Sequence, residues 1–272
     1  MPRRLRLDAE LVRRGLARSR EQASSLIADG QVTVAGMRAT KASTGVTTDQ
    51  PIVVNDHVDR YASRGGHKLA GALEAFAPLG LRVNGRRCLD AGASTGGFTD
   101  VLLRAGATQV LAVDVGYGQL VWELRNDQRV RVLDRTNIRD LTVEMVGGPV
   151  DVVTGDLSFI SLTLVLPALT AVSDPDADLL LMVKPQFEVG REQLGRGGVV
   201  REPELRTAAV VAVATAAGEL GWGTAGVVAS PLPGPSGNVE YFLWLRRDAP
   251  AAALSEVQRA VAEGPTGEKV SR

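Results

Sequence analysis

The chain has 272 residues, of which 44% are apolar and 23% are charged, and its formal net charge is zero. This length suits one small domain and one larger domain, with enough apolar residues for a buried core. One cysteine and two histidines exclude an internal disulfide framework and a multi-cysteine zinc site, so we expect no metal. The sequence has neither an apolar run approaching the roughly 18 residues of a membrane span nor a signal peptide, and we expect a cytoplasmic protein.

The zero net charge conceals an uneven distribution along the chain. Residues 1–70 contain 12 Lys and Arg against 7 Asp and Glu, a net of +5, whereas residues 71–272 contain 19 against 24, a net of −5. A basic first part indicates a polyanionic partner, although basic residues that only solvate a small domain explain the charge equally well.

The first 60 residues have the pattern of a small α+β domain. The predicted elements are helices over 7–14 and 19–30, a strand over 31–36 and further short strands within 41–54. Ser19 begins the second helix, and Gln22, three residues later, completes a capping box. We predict a first domain over 1–59 and a linker over 60–66.

Beyond residue 85, apolar strands alternate with helices. The predicted strands are 87–92, 109–115, 130–135, 150–155, 178–184, 224–230 and 239–246, and the predicted helices are 97–105, 118–126, 161–170, 203–220 and 251–263. Such alternation predicts an α/β, Rossmann-like domain with a mostly parallel seven-stranded sheet. No helix separates the last two strands, so the seventh strand should be antiparallel. This domain is predicted over 67–264, with a disordered tail over 265–272.

Basic residues in the first domain accompany a motif of small and apolar residues. The stretch from residue 5 to residue 55, with its Gly-Gln-Val-Thr-Val-Ala-Gly run at 30–36, resembles the S-four domain, a small RNA-binding module. The resemblance implies RNA binding, and the scarcity of aromatic residues favours recognition of backbone and shape. The candidate RNA-binding residues are Arg3, Arg4, Arg6, Arg18, Arg20, Lys41 and Arg64.

Residues 88–99 read Cys-Leu-Asp-Ala-Gly-Ala-Ser-Thr-Gly-Gly-Phe-Thr, a strand followed by a glycine-rich turn and a helix. The glycine spacing differs from the dinucleotide pattern, and the acid before the turn favours a cationic ammonium or sulfonium over a pyrophosphate. The segment resembles motif I of methyltransferases, which implies S-adenosylmethionine as the cofactor. The candidate cofactor-binding residues are Asp90, Gly92, Ser94, Gly96, Gly97, Phe98, Asp114, Asn137 and Asp156. Asp114 ends the second strand, where an acid accepts ribose hydroxyls, but it could equally cap a helix.

Four charged residues lie before the sheet or at strand ends, where open α/β sheets place their chemistry. Lys68, Asp156, Lys184 and Glu240 resemble the Lys-Asp-Lys-Glu tetrad of FtsJ-like ribose 2′-O-methyltransferases. From residue 3 to residue 247 the chain resembles the TlyA family, which is described both as haemolysin A and as a ribosomal RNA cytidine 2′-O-methyltransferase. The resemblance implies methylation of cytidine ribose in the small subunit, the large subunit or both.

The tetrad suggests how a ribose hydroxyl loses its proton as the methyl group arrives. A lysine accepts a proton only when neutral, although its ordinary pKa is about 10.4, and burial or a second cation lowers a lysine's pKa. We therefore predict that Lys184 is the base, and that Lys68 is the second cation and steers the 2′-oxygen. Asp156 and Glu240 would hold the lysines in place.

Some positions and functions stay open at this stage. Phe159 suits the protein core, the cofactor or the target base, and the glycine-rich stretch 191–201 predicts a mobile loop over the site. The linker carries Tyr61 where some family members have Trp, which leaves any coupling between domains that depends on the Trp in doubt. For the function of the whole chain, the alternatives to a methyltransferase are a membrane-active haemolysin and a non-catalytic RNA-binding assembly factor. We expect a monomer that acts on ribosomal RNA in assembled subunits and does not bind membranes.

Overall fold

The computed structural model describes residues 4–17, 19–28, 30–54, 61–234 and 236–265. The chain divides into two compact units, Met1–Arg60 and Tyr61–Arg272. Most of the predicted tail, and the first residue of the predicted linker, lie outside the described residues.

The first unit combines two helices with two small sheets. Its elements are β1 (Leu5–Arg6), α1 (Leu7–Arg13), α2 (Arg20–Ala28), β2 (Val32–Val34), β3 (Met37–Arg38), β4 (Gly45–Val46) and β5 (Ile52–Val54). Strand β1 pairs with β4, and β2 lies between β3 and β5, all antiparallel. The backbone N–H of Gln22 donates to Ser19 Oγ at 3.2 Å, which is the predicted cap of the second helix. Apolar residues from both helices and from the strands form one core.

The second unit is built on a seven-stranded sheet. The strands are β6 (Arg87–Ala91), β7 (Gln109–Val113), β8 (Val130–Leu133), β9 (Val150–Gly155), β10 (Ser173–Val183), β11 (Gly223–Ala229) and β12 (Tyr241–Arg246). Their order across the sheet is β11-β12-β10-β9-β6-β7-β8. Strand β12 runs antiparallel to both of its neighbours, β10 and β11, and the other pairs in this sheet are parallel. This arrangement confirms the predicted fold.

Helices cover both faces of the sheet. They are α3 (Gly65–Phe76), α4 (Gly97–Arg104), α5 (Trp122–Arg125), α6 (Val143–Val146), α7 (Leu166–Ala171), α8 (Pro185–Glu188), α9 (Pro203–Glu219) and α10 (Leu254–Glu263). Successive side chains of a strand point to opposite faces. Accordingly, Leu179 and Leu181 pack in one apolar cluster with α7, α9 and α10, and Leu180 packs in another with α3 and α4.

Two predicted helices differ from the structure, and one observed helix was not predicted. The helix predicted over 118–126 is only the short α5, because Gly118 has a φ of +67° and Val121 is extended. The helix predicted over 161–170 is divided into a 3-10 turn, Leu162–Leu164, and α7. Helix α3 was not predicted, because its glycines have low helix propensity. One of them, Gly66, lies so close to Tyr61 that a Cβ would stand 2.3 Å from the Tyr61 Cβ.

Among the described residues, no helix combines the length and hydropathy that crossing a membrane requires. No group of three or more His, Cys, Asp or Glu side chains within the described part of the chain is placed to hold a metal ion.

Candidate active site

Two adjoining clefts open at the edge of the sheet where the parallel strands end. The first is lined by Ser63, Arg64, Gly65, Lys68, Gly92, Ala93, Ser94, Gly97, Phe98, Asp156 and Pro233. The second has a volume of about 530 Å³ and is lined by residues that include Gly92, Ser94, Asp114, Gln119, Asn137, Arg139, Asp156, Ser158 and Phe159. The shared residues Gly92, Ser94 and Asp156 make the clefts continuous, so together they suit an elongated ligand with chemically different ends.

The glycine-rich turn between β6 and α4 forms the floor of both clefts. Gly92 has a φ of +86°, and a Cβ there would lie 3.0 Å from the backbone oxygen of Asp156. At Gly97 a Cβ would lie 2.2 Å from Ser63 Oγ, and at Gly96 it would lie 2.3 Å from a Leu124 methyl carbon. Only glycine fits such close approaches, so these glycines let the turn pack tightly against Asp156, Ser63 and Leu124.

The acid at the end of β7 holds this turn in place. Asp114 Oδ2 accepts from the backbone N–H of Ser94 at 2.8 Å, and Oδ1 accepts from the backbone N–H of Gly116 at 2.7 Å. A carboxylate has about four acceptor positions, so Asp114 can still accept from ribose hydroxyls in the second cleft. Asn137 lines the same cleft, and its Oδ1 caps the 3-10 turn that follows by accepting from Arg139 N at 3.1 Å.

Gly96 and Asp90 are predicted cofactor residues that line neither cleft, and of the two Asp90 is the buried acid. Its side chain is fully buried, it lines neither cleft, and Oδ2 accepts from Thr99 Oγ1 at 2.7 Å. Burial raises the pKa of Asp90 to about 7. The structure therefore does not support direct contact of this carboxylate with a cationic ligand. Instead Asp90 joins β6 to α4 beneath the glycine-rich turn.

The four tetrad residues form two ion pairs. Lys68 Nζ donates to Glu240 Oε2 at 2.5 Å, and both side chains are almost entirely buried. Lys184 Nζ lies 2.6 Å from Asp156 Oδ1, and only 8% of the Lys184 side chain is exposed. Both lysines are also close to the end of β10, because Lys68 Nζ is 4.0 Å from Met182 Sδ and Lys184 directly follows the strand. Each buried ammonium is thus neutralised by one carboxylate.

The antiparallel strand explains how Glu240 reaches this edge. The parallel strands β9 and β10 bring Asp156 and Lys184 to the edge at their carboxyl ends. Because β12 runs in the opposite direction, Glu240 arrives at the same edge from just before the strand begins. Lys68 comes from the first turn of α3, outside the sheet.

Two residues near Lys184 complete the site in ways that the sequence did not settle. Ser158 was not singled out, yet its Oγ accepts from Lys184 Nζ at 2.9 Å. Phe159 is 92% exposed with a φ of +64°, so it is not a core residue. Its ring centroid lies 5.3 Å from that of Phe187, on α8. The contact joins exposed Phe159 to half-buried Phe187, whose ring centroid lies 6.0 Å from the Lys184 amine.

The stretch 191–201 is anchored at its end beside the site. Asn238 Oδ1 accepts from Val200 N, and Asn238 Nδ2 donates to Gly198 O, each at 2.9 Å. Asn238 precedes Glu240 by two residues, so the stretch joins the segment that carries the tetrad acid. The predicted mobility of this stretch stays a prediction.

The predicted RNA-binding residues lie in both units. Within the first unit, Arg4, Arg6, Arg20 and Lys41 are exposed, whereas Arg3 and Arg18 lie outside the described residues. The guanidinium groups of Arg6 and Arg20 both contact the buried Asp8, at 3.0 and 2.9 Å, and they hold the pKa of that carboxyl well below its usual range. Arg64 belongs to the second unit, where it lines the first cleft and donates to Pro233 O at 3.3 Å.

Tyr61, before α3, and His67, within its first turn, were interpreted from the sequence as a coupling and a structural residue. His67 packs against Tyr61 with a ring-centroid distance of 5.0 Å, and the Arg104 guanidinium lies 4.9 Å from the Tyr61 ring. Tyr61 therefore contacts both α3 and α4 within the second unit.

Comparisons with known proteins identify the family. The model of the FtsJ-like methyltransferase family matches residues 61–247, and the S4 domain model matches residues 5–52. A Mycobacterium tuberculosis protein named 16S/23S rRNA (cytidine-2'-O)-methyltransferase TlyA is 60% identical over 97% of this chain and 100% of its own length. The chain belongs to the TlyA family. As a TlyA-family protein it is a methyltransferase, and S-adenosylmethionine is its methyl donor.

Other relatives share the full architecture under a different name. A Brachyspira hyodysenteriae protein named Hemolysin A is 36% identical and covers 88% of this TlyA-family chain and 98% of its own. A solved Streptococcus thermophilus structure, provisionally named a hemolysin, is 38% identical with a TM-score of 0.75, over 97% of this chain and 96% of its own.

Proposed function

We propose that the chain transfers the methyl group of S-adenosylmethionine to the 2′-hydroxyl of cytidine in ribosomal RNA. The observation that carries the proposal is the pairing of two buried lysines with two carboxylates at the edge of the glycine-floored clefts. Cytidine and ribosomal RNA come from the name of the Mycobacterium tuberculosis relative, and the S4 domain supports RNA as the substrate.

The clefts fit the methyl donor in its two halves. Asp114 and Asn137 would hold the adenosine half in the second cleft, and the backbone of the glycine-rich turn would hold the amino acid half in the first. The bound cofactor supplies a methyl group on a positively charged sulfur. Phe159 and Phe187 lie where a target base could stack on them.

Lys184 is the proton acceptor for the ribose hydroxyl in this proposal. Its amine lies in a largely water-excluded position and retains Asp156 as a counter-charge. Lys68, held by Glu240, orients the ribose oxygen and stabilises negative charge that develops on it as the proton leaves. Holding the 2′-oxygen in line with the methyl group supplies the rest of the acceleration of methyl transfer.

The test compares two substitutions of the proposed base. The purified protein with labelled S-adenosylmethionine should methylate isolated ribosomal subunits, whereas Lys184→Ala should lose transfer and retain cofactor binding. Lys184→Arg preserves the charge beside Asp156, but an arginine cannot be deprotonated in a protein, so this control should also be inactive. Transfer by Lys184→Arg at the wild-type rate would show that only the positive charge is needed.

Mapping the methylated nucleotides tests which ribosomal RNA is modified and whether it must be assembled into a subunit. We propose that the substrate is RNA in assembled subunits, that one or both subunits are modified, and that the protein acts as a monomer in the cytoplasm. Exposed Arg4, Arg6, Arg20 and Lys41 would contact phosphates, as would Arg3, Arg18 and Arg64. Mass spectrometry of ribose methylation on each subunit, with naked ribosomal RNA in parallel, tests the site and the need for assembly.

A further inference from the structure

The Lys184 amine has two polar neighbours from one short segment: Asp156 as its ion-pair partner and Ser158 as a hydrogen-bond acceptor. Asp156 Oδ1 lies 2.6 Å from Nζ, and Ser158 Oγ accepts from Nζ at 2.9 Å. Asp156 and Ser158 are two residues apart in the loop that follows β9. The Lys184 side chain is 8% exposed and stands at the start of α8, so its amine has a defined place relative to this loop.

The polar neighbours of a neutral amine determine where it directs its lone pair. A protonated lysine has three N–H bonds, whereas a neutral lysine has two N–H bonds and one lone pair in a tetrahedral arrangement. When a hydrogen bond to Ser158 holds one N–H bond, rotation about the Cε–Nζ bond stops; the negative charge of Asp156 then attracts the second N–H, and the lone pair takes the remaining direction. With Asp156 alone, rotation about the Cε–Nζ bond would leave the lone pair without a fixed direction.

We propose that Ser158 is a positioning residue, whose hydroxyl accepts one N–H of neutral Lys184 and so directs the lone pair toward the substrate hydroxyl. This inference rests on the proposed function, because it requires Lys184 to be the proton acceptor. It gives a specific task to a side chain that the tetrad does not include.

The transfer step balances with these groups alone. The 2′-oxygen forms a bond to the methyl carbon, and the carbon–sulfur bond breaks with its electron pair remaining on sulfur. The hydroxyl proton passes to the lone pair of Lys184, which becomes an ammonium as the sulfonium charge disappears. Ser158 keeps its hydrogen bond and Asp156 remains the counter-charge, so the transferred proton occupies the position of the former lone pair, from which it is lost to water.

A purely structural role for Ser158 is disfavoured by the other contacts of the loop. Glu188 anchors the loop three residues further on, because its carboxylate accepts from Ser161 Oγ at 2.5 Å and from Leu162 N at 2.9 Å. Ser158 is itself exposed. Removing its hydroxyl therefore leaves the anchor intact and creates no buried cavity.

The experiment measures single-turnover methyl transfer to isolated ribosomal subunits as a function of pH. Ser158→Ala should lower the plateau rate roughly ten- to a hundredfold, because the reacting groups lose their alignment. The rate is measured at saturating S-adenosylmethionine, because Ser158 lines the second cleft, and affinity for the subunits should be unchanged. The midpoint of the acid limb should move to lower pH by roughly half a unit, because a hydroxyl that accepts from an ammonium favours the charged form. Ser158→Thr, which retains the hydroxyl, should restore both values.

A second readout does not depend on activity. Amine-reactive labelling of Lys184 across pH, followed by mass spectrometry, should show the same shift of midpoint in Ser158→Ala without substrate. The matched control is Ser161→Ala, the same substitution in the same loop at a hydroxyl bonded to Glu188, and it should move neither midpoint.

The outcomes separate the two proposals. A Ser158→Ala protein with the wild-type plateau rate and midpoint overturns the inference while the proposed function stands. If Ser158→Ala lowers the plateau rate without moving the midpoint, Ser158 has only a structural role in the loop and the inference is overturned. An equal shift of the midpoint in Ser161→Ala has the same meaning. A wild-type protein that methylates neither subunit overturns the proposed function, and the inference falls with it.

Discussion

At the scale of single residues, each lysine of the tetrad is paired with one carboxylate at the edge of the sheet. Lys68, Asp156, Lys184 and Glu240 could be recognised because their order along the chain resembles a family pattern. Their division into two pairs depends on distances across the fold, which no local pattern contains. Asp90 shows the opposite case, because a motif suggested ligand contact, whereas its carboxyl is fully buried in the structure.

The buried Asp90 carboxyl predicts a pH dependence of stability. Burial raises its pKa from 3.8 to about 7 in the folded protein. The folded state therefore binds this proton more tightly than the unfolded chain does. The resulting stabilisation is complete below pH 3.8 and is lost as the pH rises through about 7.

Asp90→Asn should remove this dependence, because an amide does not titrate. From about pH 5 to about pH 7, the free energy of unfolding of the wild type should fall relative to the variant by up to about 1.4 kcal/mol per pH unit. Denaturant titrations of both proteins at several pH values measure the difference. If the free energies of unfolding of the two proteins differ by the same amount across this range, Asp90 does not have the raised pKa that its burial implies.

At the scale of elements, long apolar strands were predicted well and short irregular elements were not. The alternation of strands and helices indicated the sheet, and the missing helix before β12 indicated its antiparallel direction. Helix α3 escaped prediction because three glycines lower its helix propensity, and their purpose is tertiary. Gly66 admits the Tyr61 ring and Gly71 admits Pro231, contacts that are invisible in the local sequence.

The glycine-rich turn provides a test at this scale. Gly92→Ala should weaken S-adenosylmethionine binding at least tenfold, because the added Cβ meets the backbone of Asp156 at 3.0 Å. It should also destabilise the fold by about 1 kcal/mol or more through the left-handed conformation. Isothermal titration calorimetry and thermal melting measure the two effects.

Gly85→Ala is the matched control for this substitution. Gly85 has a similar φ of +78°, but no atom lies within 4 Å of its added Cβ. It should share the loss of stability and keep the wild-type affinity. Equal affinities of the two variants would mean that the close approach at Gly92 does not shape the cofactor site.

At the scale of the whole molecule, zero net charge hides a basic first part and an acidic second part. The sequence shows this charge asymmetry, but the charges alone do not tell whether the basic residues bind RNA or only solvate a small domain. In the structure, Arg6 and Arg20 flank the buried Asp8, which fixes two exposed guanidinium groups near one point. Such preorganised cations suit contacts with phosphates.

Arg20→Gln should therefore weaken binding to ribosomal subunits and leave cofactor affinity unchanged. Each phosphate contact that is lost should reduce the slope of log affinity against log salt by about one. Filter-binding assays at several salt concentrations measure this slope. Arg129→Gln, at an exposed arginine paired with Asp127 in the second unit, is the control and should keep the wild-type slope. Identical slopes for all three proteins would argue against Arg20 as a phosphate contact.

The bond between Lys68 and Glu240 has a consequence for the synthesis of the protein. It joins positions 172 residues apart, and Glu240 directly precedes the last strand of the sheet. A growing chain consequently holds Lys68, the glycine-rich turn and Lys184 long before the acid that pairs with Lys68 has been added. Under the proposed function, an unfinished chain cannot methylate the ribosome that is making it, and activity begins only when translation of the second unit is nearly complete.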